Sequence, residues 1–196
     1  PKRYSRQTRA GDTEIARAID LIAKSRAPVL YTGGGVINSG PKASELLRQF
    51  QELTGAPLTS TLMGLGAFPA DHPDWLGMLG MHGTYEANLA MNKADLIVCD
   101  GARFDDRVTG RLDAFSPDST KIHIDIDRSS INKVIPVDLG IVGDCATVLE
   151  QLIAAWGSRK PLEIGDWSSR IGEWRAKNSL AYPRRRDQLM PQLAVQ

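Results

Sequence analysis

"DLIVCDGARFDDRVTG", residues Asp95 to Gly110, decides how this chain is read. Four apolar residues, Leu96 to Cys99, run without a polar break and stop at a loop carrying Asp100, Gly101, Arg103, Asp105, Asp106 and Arg107. A short continuous apolar run suits a strand covered on both faces, as in a parallel sheet. The charges after it, of both signs, belong either to a solvated turn or to a strand end that holds a charged ligand. Arg103 and Arg107 are four residues apart. On a turn of helix they would present two guanidinium groups on one side, suited to a diphosphate, with Asp105 and Asp106 balancing or orienting them. The alternative is surface ion pairing among the same charges, which contributes little.

Outward from this stretch the chain alternates. "DTEIARAIDLIAKSR" places Ile15, Ala18, Ile19 and Ile22 at helical spacing, with Asp12 or Thr13 as N-cap. "APVLYTGGG" is a β-prone run ending in glycines, and "GPKASELLRQFQELTGAP" is a helix with Pro41 in its first turn and Gly55 past its end. "PLTSTLMG" predicts a strand and "GTYEANLAMNKA" a helix. "KIHIDID" predicts a strand whose alternation places it towards an edge, and "GIVGD" a short strand before the helix "CATVLEQLIAAWG". Apolar strands separated by helices imply an α/β domain with a doubly wound, mostly parallel sheet of five or six strands and helices on both faces. Its predicted span is residues 12–156, with 1–11 a linker and 157–196 a helical linker. In the latter, Trp167, Ile171 and Trp174 share one helix side that packs on this domain or on another.

The chain has 196 residues, enough for one medium domain, and its formal net charge of +1 gives no footprint for nucleic acid or a membrane surface. The basic run Arg184–Arg186 reads as a solvated face or linker. Cys99 and Cys145 read as reduced, buried thiols of a cytoplasmic or comparably reducing compartment. No run is long enough to span a membrane and no signal peptide is visible. A start at Pro1 suggests a processed product or a fragment.

Ligands of open parallel sheets bind outside the carboxyl ends of the strands, so the residues after each strand are the candidates. Gly33, Gly34 and Gly35 follow the first strand. A dinucleotide fingerprint needs glycine at position 38, which is Asn38, and the ribose-binding acid about 20 residues later is absent, because Glu52 lies in a helix. The triplet therefore marks a close backbone approach, to a ligand ahead of a neighbouring helix. "HIDID" supplies Asp125, suited to the hydroxyls of a ribose, while Asp127 suits the cap of the following turn. His72, His82 and His123 have no companions at metal-ligand spacing, so no metal site is expected. No nucleophile triad is evident.

"PVLYTGGGVINSG", "TSTLMGLGAFP", "MLGMHGTYEAN", "GARFDDRVTG", "HIDID" and "IVGD", in this order, closely resemble the catalytic (large) subunit of the acetohydroxyacid synthase (acetolactate synthase) family. The resemblance implies the Rossmann-like central domain of a thiamine-diphosphate enzyme. That family condenses pyruvate with a second 2-ketoacid in branched-chain amino acid biosynthesis. It uses thiamine diphosphate and Mg2+ held by two outer domains, with FAD on the central domain in a non-redox role. It further implies a homo-oligomer, at least a dimer, with a regulatory small subunit.

Carried onto this chain, the resemblance implies an FAD site lined by Gly33, Gly34, Gly35, Gly101, Ala102, Arg103, Asp105, Arg107 and Val108. Thr61, Leu62, Met63, His82 and Gly83 would approach from the other side, and Asp125 and Ile126 would hold the adenosine end beside Gly143, Asp144 and Cys145. Asp106 and Arg107 would lie near the active-site entrance, with no catalytic residue in this chain. The alternatives are the central domain of another thiamine-diphosphate carboligase or decarboxylase, binding ADP or coenzyme A, and a purely structural interdomain module.

Overall fold

A computed structural model describes residues 7–182 and residue 191. Residues 1–6, the run Arg184–Arg186 and the stretch "MPQLAVQ" apart from Pro191 lie outside the described residues. Six strands form one sheet: β1 (Pro28–Thr32), β2 (Leu58–Ser60), β3 (Trp75–Met78), β4 (Leu96–Asp100), β5 (Thr120–Asp125) and β6 (Leu139–Val142). Their order is β3-β2-β1-β4-β5-β6, and every neighbouring pair is parallel. The chain reverses its direction of travel across the sheet between β1 and β4, which makes that junction the topological switch point.

Alternate strand residues bury into two cores. Leu30, Val98, Ile122 and Ile124 face α1 (Asp12–Lys24), α3 (Pro41–Thr54) and α6 (Cys145–Trp156), where Ile19, Phe50 and Leu152 meet them. Val29, Tyr31, Ile97 and Cys99 face α4 (Tyr85–Lys93) and α7 (Gly165–Arg175), where Met91, Trp167 and Ile171 meet them. This two-sided burial is why β4 carries no polar residue until its last position. The helix ends follow their local chemistry. Pro41 opens α3, and Gly55 at φ 70° closes it by donating its N–H to Gln51 O. Thr84 caps α4 and Asp144 caps α6 through side-chain oxygens.

Three local expectations change. The strand expected over "PLTSTLMG" ends at Ser60, because the Thr61 hydroxyl accepts from Gly64 N and turns residues 62–64 into a single 3-10 turn. β3 and the short helix α2 (Gly34–Ser39) were not anticipated: each has too few residues to show a period, and both lie among glycines. "KIHIDID" is β5, next to the edge strand β6 but paired on both sides, so its alternation does not mark a solvent-facing edge. Its polar residues find partners inside the protein: Lys121 Nζ donates to Ser116 O and Ser119 O, and His123 Nε2 is 2.9 Å from Ala102 O. The alternation thus records internal hydrogen bonding, not solvent.

The tryptophan side of α7 packs on this sheet. Trp167 donates its indole N–H to Pro28 O at 3.0 Å and meets Trp174 edge-to-face at 5.6 Å. Further along, Arg175 donates to Pro73 O, just before the edge strand β3, and to Trp75 O, at its first residue. Among the described residues no helix is long and apolar enough to cross a membrane. Truncating Trp167 to alanine removes a buried ring and leaves Pro28 O without its donor, so urea denaturation of Trp167→Ala is expected to show a loss of about 3–5 kcal/mol.

Candidate cofactor site

The switch point holds a cleft of about 380 Å³, within the range of small-molecule sites. It exists because the loops after β1 and β4 meet backbone to backbone. Gly33 N donates to Asp100 O and Gly35 N to Gly101 O. A Cβ on Gly35 would stand 2.5 Å from Gly101 Cα, and one on Gly33 would stand 2.5 Å from Gly101 O. Gly101 itself sits at φ 63°. The glycine triplet is therefore required first by a neighbouring loop, and only Gly34 and Gly35 also border the cleft. The expectation that a ligand dominates the triplet is corrected to that extent.

Five strand ends contribute to the lining. Asn38 and Ser39 join the two glycines after β1, and Thr61 and Met63 come from the loop after β2. Gly101, Ala102, Arg103 and Asp105 follow β4; Asp125, Ile126 and Ser130 end β5 and its turn; Asp144 and Cys145 begin α6. Other expected residues lie outside this lining. Gly33, Leu62 and His82 are absent from it, with Leu62 and His82 exposed on their loops. Gly83 packs under Met78 O, and Gly143 packs under Val148 and Thr8 O. Arg107 and Val108 lie on the far side of the β4 loop, where Arg107 O accepts from Met81 N.

The opening loop resolves into a single helical turn, α5 (Asp106–Thr109). Asp105 is its N-cap and accepts from Arg107 N. Arg103 precedes that cap, so the two arginines do not share a helix face, and only Arg103 reaches the cleft. Among the described residues none of Arg103, Asp105, Asp106 and Arg107 forms an ion pair with another of the set. Both halves of that expectation, paired guanidinium groups and balancing carboxylates, are replaced by one exposed guanidinium at the rim. Asp127 caps the turn after β5 through Ser129 N, which leaves Asp125 facing the cleft. Asp125 Oδ1 accepts from Asp127 N, and Oδ2 is 3.9 Å from His123 Nε2.

Asn38, Ser39 and Ser130 were missed because single polar residues in turns carry no spacing signal. Ser39 donates to Asp144 Oδ1 and accepts from Ala146 N, tying α2 to the start of α6. Asp100 was named only as part of the loop, yet it is the last residue of β4, 3% exposed, with no N–H or O–H donor to either carboxylate oxygen among the described residues and the Cys145 thiol beside it. Burial pushes its carboxyl up to about 7. The neighbouring Cys145 thiol opposes that push, and Asp144 and Asp125 add to it. Burial likewise holds the Cys145 thiol well above its ordinary range, with Asp100 adding to it, and keeps His123 below the usual imidazole range. Among the described residues no group of histidine, cysteine and carboxylate side chains could hold a metal ion.

A doubly wound sheet with a nucleotide-sized cleft at its switch point defines a Rossmann-like binding domain. Residues 15–152 match the family model for the central domain of thiamine pyrophosphate enzymes, and the chain belongs to that family. It is 42% identical over 194 residues to the acetolactate synthase large subunit of Buchnera aphidicola subsp. Schizaphis graminum, covering 98% of this chain and 34% of that protein. Against acetolactate synthase isozyme 3 large subunit of Escherichia coli (strain K12) the identity is 43% over 197 positions, covering 98% and 34%. Against acetolactate synthase 1, chloroplastic, of Zea mays it is 42% over 185, covering 93% and 28%. The chain thus spans about a third of the length of these relatives.

Two outcomes follow from this geometry. A methyl group at Gly35 collides with the Gly101 backbone, so Gly35→Ala is expected to lower unfolding stability by about 1–3 kcal/mol. Asp100 ionises near its ordinary value when unfolded but only near 7 when folded, so the folded state binds the extra proton between about pH 4 and pH 7. Its contribution is intact below pH 4 and is lost as pH rises through 7. Asp100→Asn should therefore match the parent in melting temperature near pH 4 and exceed it above pH 7.

Proposed function

We propose that this chain is the central cofactor domain of an acetolactate synthase large subunit and that its cleft holds FAD in a non-redox role. The observation that carries the reading is the convergence at the switch point of Arg103, Thr61, Asp125 and the glycine-backed loops on one cleft. This donor set fits the group. Arg103 offers a guanidinium without an ion pair among the described residues for a diphosphate, and Asp125 offers a carboxylate oxygen to ribose hydroxyls. Gly34 and Gly35 contribute backbone to the cleft wall. Leu62, Met63 and Met81, all largely exposed on the strand-end loops, supply apolar surface for the flavin end.

The whole protein, on this reading, condenses pyruvate with a second 2-ketoacid to give 2-acetolactate or 2-aceto-2-hydroxybutyrate. Thiamine diphosphate with Mg2+ supplies the carbanion chemistry when bound, through segments of the protein beyond this domain. The domain's own residues bind and orient the flavin, and Asp106 and Arg107 stand towards the active-site entrance. An oligomer of at least two subunits, a regulatory small subunit and a cytoplasmic or comparably reducing location complete the proposal. Relatives named acetolactate synthase, matched over nearly the whole of this chain, support it.

The test is calorimetric titration of the full-length protein with FAD and with ADP, repeated with Arg103→Ala. FAD should bind more tightly than ADP, and the substitution should weaken FAD about ten- to a hundredfold, the loss of a charge-assisted hydrogen bond. Equal affinity for FAD and ADP would remove the flavin from the site, and unchanged FAD affinity in Arg103→Ala would remove Arg103 from it.

A further inference from the structure

Asp100 is the one buried charged group at the switch point that the cofactor reading leaves unused. It ends β4 immediately before Gly101, the residue that packs against Gly33 and Gly35 and forms part of the cleft wall. Its surroundings are known on every side. Thr32, its register partner on β1, has a buried hydroxyl that is also unpartnered. On β5 the neighbour in register is the apolar Ile124, followed by Asp125. The start of α6 brings Asp144 and the Cys145 thiol, while the bodies of α3 and α6 present Leu47, Phe50, Leu149 and Leu152. The adjacent Cys99 and the next alternate residue of β5, His123, belong to the opposite face of the sheet, where Cys99 is buried in the second core. No arginine, lysine or histidine forms an ion pair with Asp100 among the described residues. The cleft above is already short of positive charge, with Arg103 the lone cation against Asp105, Asp125 and Asp144.

We propose that Asp100 is a proton-linked control group beneath the cleft: protonated, it leaves the site open to an anionic diphosphate, and ionised, it places a further buried negative charge there and weakens that binding. This rests on the cleft being the nucleotide site. A buried charge acts over the few residues between Asp100 and the cleft wall with little screening, since both oxygens are shut off from solvent. The upward shift of its carboxyl puts the change in the physiological range. Linkage then requires the reverse effect: binding a dianion raises the proton affinity of Asp100, so complex formation takes up protons around neutrality.

FAD is the suitable probe, because its diphosphate is a diester whose charge is constant between about pH 5.5 and pH 8.5. Calorimetry of the full-length protein would follow FAD affinity across that range in the parent, in Asp100→Asn and in Asp100→Leu, the last matching the apolar neighbours if the amide impairs folding. Proton uptake would be read from buffers of different ionisation enthalpy. The parent should lose about tenfold in affinity from the acid to the alkaline end and take up protons on binding near pH 7, and the variants should be flat by comparison. Parallel pH profiles in parent and variants, with FAD bound in all, would overturn the control role and leave the cofactor reading standing. Failure of FAD to bind at any pH in any of the three would overturn both.

Discussion

The arrangement depends on one close contact, the backbone of Gly33–Gly35 against the backbone of Gly101–Ala102. These loops leave β1 and β4, the two central strands, at the point where the winding reverses. Without side chains between them, Gly33 N and Gly35 N can reach the carbonyls of Asp100 and Gly101, which extends the β1–β4 pairing beyond the sheet proper. The loops that follow must then diverge, α2 to one side and the Arg103–Asp105 segment to the other. The cleft is the space between them. A binding site formed this way has a rigid floor of parallel strands and walls set by hydrogen-bonded backbone, which is the preorganisation a cofactor domain needs.

Carboxylates outnumber cations around this cleft. Helix α6 begins at its edge, but Asp144 occupies the free N–H groups of its first turn, so that terminus is closed to a phosphate by its own cap. Positive charge comes from Arg103 alone among the lining residues. The carboxylates Asp125 and Asp144 suit hydroxyl donors instead, which matches a ligand rich in ribose and ribityl hydroxyls better than one that is mainly phosphate. On the proposed reading, one more buried charge at Asp100 would tip this balance further against a diphosphate.

The second face of the sheet shows how far the domain extends along the chain. Trp167 and Ile171 of α7 close the core that Val29, Tyr31 and Ile97 open, and Arg175 donates to Trp75 O at the start of β3 and to Pro73 O before it. At the other end, Ala10 exchanges hydrogen bonds with Gln151 on α6, and Asp144 N donates to Thr8 O. Segments that read as linkers from composition thus dock on the same sheet, one on each face. Their polar surfaces hide this, because contact is made by a few residues rather than by a periodic stripe.

The sequence by itself determined the alternation of apolar strands with amphipathic helices, and hence a parallel sheet covered on both faces, because burial on two sides demands runs such as Leu96–Cys99. It also identified the strand ends as the place to look, along with Asp127 as a cap and Gly55 as a helix stop, since those effects are local. Only the tertiary structure decided which strand-end residues meet. Arg103 and Arg107 are equivalent by spacing but separate once Asp105 caps a single turn, and "KIHIDID" looks edge-like although its lysine meets the carbonyls of Ser116 and Ser119 and its histidine that of Ala102. Asp100 reads as a loop charge and is a buried carboxyl beside the Cys145 thiol, with no ion pair among the described residues. Its environment is assembled from β1, β5 and α6, elements far apart in the chain, and no local pattern encodes a contact that exists only when they pack together.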